Sequence, residues 1–136
     1  MERQRSGFEK LEVYRLSEEL ADAVWKFARD WTSLDRDTVG KQIIRAADSV
    51  GANIAEGYGR STPADNRRCV RIAIGSLYET KHWLRRAYQR QLIDSSQIEH
   101  LKPLLDKLLP MLNAYLNSIG RQRFTPTPDL QPTTHD

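Results

Sequence analysis

The chain of 136 residues is 39% hydrophobic and 29% charged, and its mean hydropathy is −0.65. These values fit one soluble globular domain, and no apolar run approaches the roughly 20 residues that span a bilayer. The single cysteine, Cys69, excludes an internal disulfide and is predicted to be a small buried hydrophobic residue. The N-terminal sequence MERQRSGFEKLEV lacks the apolar core of a signal peptide, so we expect a cytoplasmic protein.

Charge is distributed unevenly along the chain. The formal net charge is +3 and the pI is about 9.2, which is mild for a nucleic-acid-binding protein. Between Arg60 and Arg90, however, eight basic residues stand against two acidic ones, so the rest of the chain is slightly acidic. This asymmetry predicts a positive field that is local to one element.

The spacing of apolar residues predicts four helices and no convincing strand. The first covers residues 9–32, where apolar residues recur at intervals of three and four. In the polar loop at 32–37, Asp37 is expected to cap the second helix. The second helix runs from Thr38 to Glu56, and Gly57 is expected to end it because glycine tolerates the left-handed conformation.

The third helix begins with a set of favourable local signals. Thr62 suits the N-cap, Pro63 suits the first helical position, and Asp65 favours the positive end of the helix dipole. The apolar stripe that follows extends to about Gln91.

The fourth helix is predicted from the capping-box sequence at 96–99, which begins with Ser96, to Gly120. Pro103 and Pro110 each remove a backbone donor, so a bend or a split is expected there. The short connections favour an all-α, antiparallel up-down-up-down four-helix bundle over residues 9–120. Residues 1–8 are predicted to be a flexible N-terminus and residues 121–136 a flexible proline-rich tail.

Catalytic and metal-binding patterns are missing from the sequence. His82, His100 and His135 have no cysteine or histidine partner at ligand spacing. There is also no P-loop, Rossmann glycine pattern or nucleophile elbow. We therefore predict no enzyme activity, no catalytic residue, no metal and no cofactor.

A polar stripe runs beside the apolar stripe of the second helix. Its members lie within about 80° of one another on a helical wheel: Gln42, Arg45, Ser49, Asn53 and Glu56. The small uncharged residues near its middle favour close packing against another helix or subunit. A solvated face and a ligand contact remain open as alternatives.

The third helix carries a basic face. These side chains lie within an arc of about 140° that excludes the core stripe: Arg67, Arg68, Arg71, Tyr78, Lys81, His82, Arg85 and Arg86. The arginines supply positive charge and can bind a phosphate through two hydrogen bonds. Tyr78 and His82 have planar rings on which unpaired bases can stack. The pattern predicts binding of nucleic acid, either RNA or DNA.

Other interpretations of this region stay open. The arginines can be simply solvated, or they can pair with the acids between Glu12 and Asp22 of the first helix. The basic face can also dock an acidic protein, in which case the chain is a protein-interaction scaffold. A second apolar patch of Ile72 and Trp83 predicts a further partner, most simply another copy of the chain.

Three stretches together resemble a known family: FEKLEVYRLSEELADAVW at 8–25, VGKQIIRAADSVGANIAEGYGR at 39–60 and RRCVRIAIGSLYETKHWLRRA at 67–87. They are similar to four-helix-bundle proteins related to those encoded in intervening sequences of bacterial 23S ribosomal RNA genes. That family also includes the accessory variability protein of diversity-generating retroelements. The resemblance covers about residues 8–120, and this chain departs from the pattern at Pro103, at Pro110 and in its proline-rich tail.

The resemblance implies an antiparallel four-helix bundle that forms ring-like homopentamers. It also implies a non-catalytic role, in which a basic surface binds nucleic acid or serves a nucleic-acid enzyme. The family pattern matches this chain at Gln42, Arg45, Ser49, Asn53, Glu56, Gly57, Gly59, Arg60, Gly75, Ser76 and Glu79. These residues favour a structural role or a subunit contact, with Asn53 and Glu56 facing Gly75 and Ser76.

The segment ANIAEGYGR at 52–60 lies between the second helix and the third helix, which carries the basic face. Gly57 is expected to end a helix and Gly59 to permit the turn. Arg60 is then expected to lie on the rim of the basic face.

Overall fold

The computed structural model describes residues 5–121, and that range forms an antiparallel up-down-up-down bundle of four long helices. They are α1 (Glu12–Ala28), α2 (Lys41–Tyr58), α3 (Pro63–Gln89) and α4 (Ser95–Ser118). Helix α2 packs between α1 and α3, and α4 closes the bundle against the same two neighbours. The described residues contain no strand, which confirms the all-α prediction. Within the same range, no helix is long and apolar enough to cross a membrane.

The core forms where one apolar stripe from each helix meets the others. Its fully buried side chains include Leu20 of α1, Ile43 of α2, Leu77 of α3 and Leu108 of α4. Each buried side chain of this size contributes about 1.5–3 kcal/mol of hydrophobic stabilisation. Cys69 is also buried, as the sequence predicted.

The first helix is shorter than the predicted range of 9–32. A 3-10 turn over Gly7–Lys10 precedes α1, and the backbone N–H of Ser6 donates to Glu9 Oε1 at 3.2 Å. Phe8 packs edge-on against Tyr14 with 4.9 Å between ring centroids. Ordered contacts therefore begin before residue 9. The remainder of the two predicted flexible ends, residues 1–4 and 122–136, lies outside the described residues.

The start of α2 differs from the prediction. Residues Ser33–Asp35 form one helical turn, and Arg36–Gly40 forms a π-helical turn that continues into α2. Within this lead-in, Thr38 Oγ1 donates to the Leu34 carbonyl at 2.6 Å. The chain is thus already helical at Asp37, which lies inside the π turn, and the prediction that it caps the helix was wrong.

Gly57 lies inside α2 and does not end it. The helix continues to Tyr58, and the backbone of Gly57 is not left-handed. A Cβ atom at Gly57 would lie 2.5 Å from Asn66 Oδ1 and 2.9 Å from Cys69 Cβ. The glycine therefore allows α2 and α3 to approach closely, so the prediction that it ends the helix was wrong.

The start of α3 confirms the prediction. Thr62 Oγ1 accepts a hydrogen bond from the Asp65 backbone N–H at 3.2 Å, and Pro63 is the first helical residue. The helix ends at Gln89, slightly before the predicted end. Gln91 then adopts a φ of 63°, the left-handed conformation that glycine usually supplies after a helix.

Helix α4 is continuous through both of its prolines. Asp94 is its N-cap and exchanges two hydrogen bonds of 2.9 Å with Gln97, so the capping box begins before Ser96. Pro103 and Pro110 are both exposed. Water can reach the turns that lose a backbone donor there, and the helix is not split at either residue.

Candidate nucleic-acid interface

The core determines which face of α3 meets solvent. Val70, Ala73 and Leu77 are buried, so the opposite side of the same helix is exposed. Exposed on that side are Arg68, Arg71, Tyr78, His82 and Arg85, and half-buried at its edges are Arg67, Lys81 and Arg86. The side chains of the predicted basic face therefore lie along one continuous surface.

Three arginines of this face have no acidic partner among residues 5–121. Arg68, Arg71 and Arg85 form neither an ion pair nor a hydrogen bond in that range. Two of the α1 acids pair with other arginines, Glu12 with Arg15 at 2.6 Å and Glu18 with Arg5 at 2.9 Å. Pairing with the first helix is therefore not observed for these three side chains.

Other basic residues of the region are committed to contacts inside the chain. Arg67 Nη1 donates to the Ile119 carbonyl at 3.0 Å and so ties α3 to the end of α4. Arg60 pairs with Glu56. The hydrogen bond that Arg60 donates to that carboxylate raises the pKa of Arg60 above its ordinary value. Arg86 hydrogen-bonds within its own helix. These side chains are less available to a ligand than the three free arginines.

Aromatic rings lie among the free cations. Tyr78 is 56% exposed, and Lys81 Nζ lies 5.6 Å from its ring centroid. His82 is also exposed and meets Trp83 edge-on, with 4.8 Å between ring centroids. The basic face thus offers planar side chains as well as positive charge.

The predicted apolar patch of Ile72 and Trp83 is only partly available. Trp83 packs against the core, and its indole Nε1 donates to Glu79 Oε2 at 3.2 Å. Ile72 is 45% exposed. Trp83 therefore has a structural partner within the chain, and Ile72 is the more exposed residue of the pair.

The polar stripe of α2 lies along the contact between α2 and α3, which we call the seam. Arg45 Nη2 pairs with Glu79 at 2.7 Å and donates to Gln42 Oε1 at 3.0 Å. Further along, Ser76 Oγ donates to Ser49 Oγ at 2.9 Å. The stripe thus makes contacts between two helices of one chain.

Asn53 and Glu56 do not bond across the seam. Asn53 Nδ2 donates to the backbone and side-chain oxygens of Ser49, at 2.9 Å and 3.0 Å. Glu56 pairs with Arg60, one turn further along the chain. Neither residue hydrogen-bonds to Gly75 or Ser76, because each finds a polar partner one turn away in its own chain segment. Ser49 makes the contact with Ser76 instead.

Gly59 and Gly75 have no steric need for glycine among the described residues. Gly59 has a φ of −83°, and a Cβ there would come no closer than 3.6 Å to another atom. The expected role of Gly59 in permitting the turn was therefore wrong. A Cβ at Gly75 would meet no atom within 4 Å.

A groove between α1 and α4 was not anticipated from the sequence. Its walls carry Glu19, Asp22 and Lys26 from α1, and His100 and Lys107 from α4. Residues 5–121 contain no group of three or more histidine, cysteine or acidic side chains that could hold a metal ion. The groove is hard to find by pattern because its walls are far apart in the sequence.

Comparison with known proteins places the chain in a family. A family model described as 23S rRNA-intervening sequence protein matches residues 9–114. The chain belongs to this family. The range that matches the 23S rRNA-intervening sequence protein family contains both the seam and the basic face of this chain.

A solved structure shows the same fold as this family member. It is a protein from Bacteroides thetaiotaomicron, described as of unknown function and from the S23 ribosomal protein family. It is 24% identical, and the match covers 77% of this chain and 95% of that chain with a TM-score of 0.71. No curated protein matches the chain.

Proposed function

We propose that this chain is a non-enzymatic nucleic-acid-binding protein that uses the basic face of α3. One observation carries the proposal: Arg68, Arg71 and Arg85 share an exposed helix face and have no partner among residues 5–121. Cations without internal partners can neutralise phosphates and release the counterions that surround nucleic acid. Arginine also binds phosphate through two parallel hydrogen bonds. Membership of the 23S rRNA-intervening sequence protein family is consistent with this role.

We propose further that the protein assembles into a homopentamer. The family resemblance implies such a ring, and the half-exposed Ile72 beside the seam offers an apolar side chain to a second copy. A ring repeats the basic face on each protomer. Several weak phosphate contacts then act together, which raises the overall affinity through effective concentration.

Fluorescence anisotropy tests the proposed ligand. A labelled RNA hairpin and a labelled DNA duplex are titrated with the full chain at about 50 mM and about 200 mM salt. We expect binding that weakens steeply with salt. The variant Arg68→Ala/Arg71→Ala/Arg85→Ala should reduce the log–log salt slope on the duplex by about 0.9 for each phosphate that the protein no longer neutralises.

A matched variant controls for net charge. Lys26→Ala/Lys41→Ala/Lys107→Ala removes three positive charges from exposed positions elsewhere that also have no acidic partner among residues 5–121, and it should retain the wild-type salt slope. Light scattering should give a mass about five times that of the 15.7 kDa chain. Equal weakening by both variants would contradict the assignment to α3. No binding by an intact oligomer at low salt would discard nucleic acid, and an acidic protein partner would then be sought by pull-down.

A further inference from the structure

Among the glycines of the four long helices, Gly75 is the one whose lack of a side chain is not explained by packing among the described residues. At Gly51 and Gly57, a Cβ would lie 2.8 Å from Ser17 Oγ and 2.5 Å from Asn66 Oδ1, so both positions need a missing side chain. Gly75 lies in the middle of α3 and faces solvent. Glycine there is unfavourable relative to alanine, and no contact among the described residues requires it. The open space is therefore available to something outside the chain.

The side chains around Gly75 give this space a defined chemistry. Arg71 lies one turn before Gly75, and Tyr78 lies one turn after it. Long helical side chains generally lean toward the N-terminus, which directs Tyr78 toward the turn that holds Gly75, and no atom of its ring comes within 4 Å of the Cβ position there. Lys81 approaches the same ring from the following turn. We call the space above Gly75, bounded by Arg71 and Tyr78, the notch.

We propose that the notch binds one unpaired nucleobase, which stacks on Tyr78 while its phosphate meets Arg71. The inference rests on the proposed function and names its ligand class, which is single-stranded nucleic acid or the loop of a folded RNA. The Cα atoms of Arg71 and Tyr78 lie about 10 Å apart along the helix axis, which leaves room for a planar ring. A base inside a duplex is stacked on both sides and cannot offer a face to Tyr78 unless it leaves the stack.

The charge around the notch favours nucleic acid over a second copy of the same face. Arg68, Arg71 and Arg85 carry positive charges without partners among residues 5–121. Two such faces repel each other, whereas a phosphate beside a stacked base neutralises the cations. An unpaired nucleotide matches both the exposed ring of Tyr78 and the charge.

The test compares an unstructured oligothymidylate with a DNA duplex of equal length, by anisotropy at one low salt concentration. Tyr78→Ala should weaken binding of the single strand roughly 5- to 150-fold and leave duplex binding unchanged. Gly75→Leu should do the same, because its side chain fills the notch while leucine keeps the helix intact. The control is Tyr88→Ala, since Tyr88 is 48% exposed on the same helix but its hydroxyl lies 3.4 Å from Ser95 Oγ, away from the notch. Circular dichroism melts establish that each variant is folded.

The remaining outcomes contradict the proposed role of the notch, and they can be told apart. If the wild type binds both ligands and neither Tyr78→Ala nor Gly75→Leu weakens single-strand binding, the notch is wrong and the proposed function stands. Equal losses of single-strand affinity in Tyr78→Ala and Tyr88→Ala would likewise contradict the notch and leave the proposed function standing. If Gly75→Leu changes the oligomeric mass but not binding, the notch belongs to a contact between copies. If the wild type binds neither ligand, both the proposed role of the notch and the proposed function are contradicted.

Discussion

Arg45 of α2 and Glu79 of α3 are 34 residues apart in the sequence and form an ion pair with a nitrogen–oxygen distance of 2.7 Å. The same carboxylate oxygen of Glu79 accepts a hydrogen bond from Trp83 Nε1 at 3.2 Å. One acid thus joins a side chain of the neighbouring helix to the tryptophan that covers the core. Both members of the pair are partly exposed, so solvent and salt screen their attraction.

Removing this ion pair should have a small effect that depends on salt. We expect Arg45→Ala to lower the free energy of unfolding by at most about 1 kcal/mol, and less in high salt. Glu79→Gln retains an acceptor for Trp83 and should cost less than Glu79→Ala. Urea unfolding at low and high salt measures both effects. A large loss in Arg45→Ala that salt does not reduce would contradict a screened surface pair.

Gly57 should tolerate no side chain, for a reason that differs from backbone strain. Gly57→Ala places a Cβ 2.5 Å from Asn66 Oδ1, and Gly57→Val adds further crowding. We expect Gly57→Ala to destabilise by about 1–3 kcal/mol, and Gly57→Val by more, in urea or thermal unfolding. Gly59→Ala is the control and should be neutral or stabilising, since its φ is −83° and its nearest neighbour is 3.6 Å away. An unchanged midpoint for Gly57→Ala would contradict the close approach of α2 and α3.

Arg67 and Arg85 should behave differently although both belong to the basic face. Arg67→Ala removes the donor to the Ile119 carbonyl and should destabilise by about 1 kcal/mol. Arg85→Ala should change stability by less than about 0.5 kcal/mol, because Arg85 has no partner in the described chain. Unfolding curves of the two single variants make the comparison. Equal stabilities would show that the hydrogen bond to α4 contributes nothing measurable.

Asp48 should make stability depend on pH. Partial burial, and to a smaller extent the nearby Asp22, raise the pKa of Asp48 above its ordinary value of 3.8. A carboxyl with a raised pKa in the folded state opposes folding when it is ionised. That cost is fully present above the folded pKa and disappears below the unfolded value.

Replacing Asp48 with asparagine should therefore stabilise the protein at neutral pH only. Asp48→Asn should raise Tm near pH 7, and its advantage over the wild type should vanish near pH 3. Thermal melts across this range provide the measurement. Glu99→Gln removes the same charge from an exposed side chain that has no ion pair among the described residues, and it serves as the control. An equal gain at all pH values would assign the effect to something other than ionisation of Asp48.

Prediction from the sequence was most accurate where a signal depends on neighbours in the chain. The cap at Thr62 uses the backbone of Asp65, only three residues away, and the structure has this hydrogen bond. The predictions for Asp37 and Ser96 failed because another residue earlier in the chain already begins the helix. Thr32 precedes the turn that leads into α2, and Asp94 caps α4. Local patterns identify possible caps but do not rank competing ones.

By itself, the sequence determined the all-α fold class, the order of the four helices and the placement of positive charge on one side of α3. All three follow from helical periodicity and from charges counted along one chain segment. Only the tertiary structure decided that Gly57 is needed for packing and Gly75 is not, and that Arg67 is engaged while Arg85 is free. Each of these outcomes depends on the distance to an atom of another helix. That distance is set by how the apolar stripes pack together, and the pattern within a single helix does not contain it.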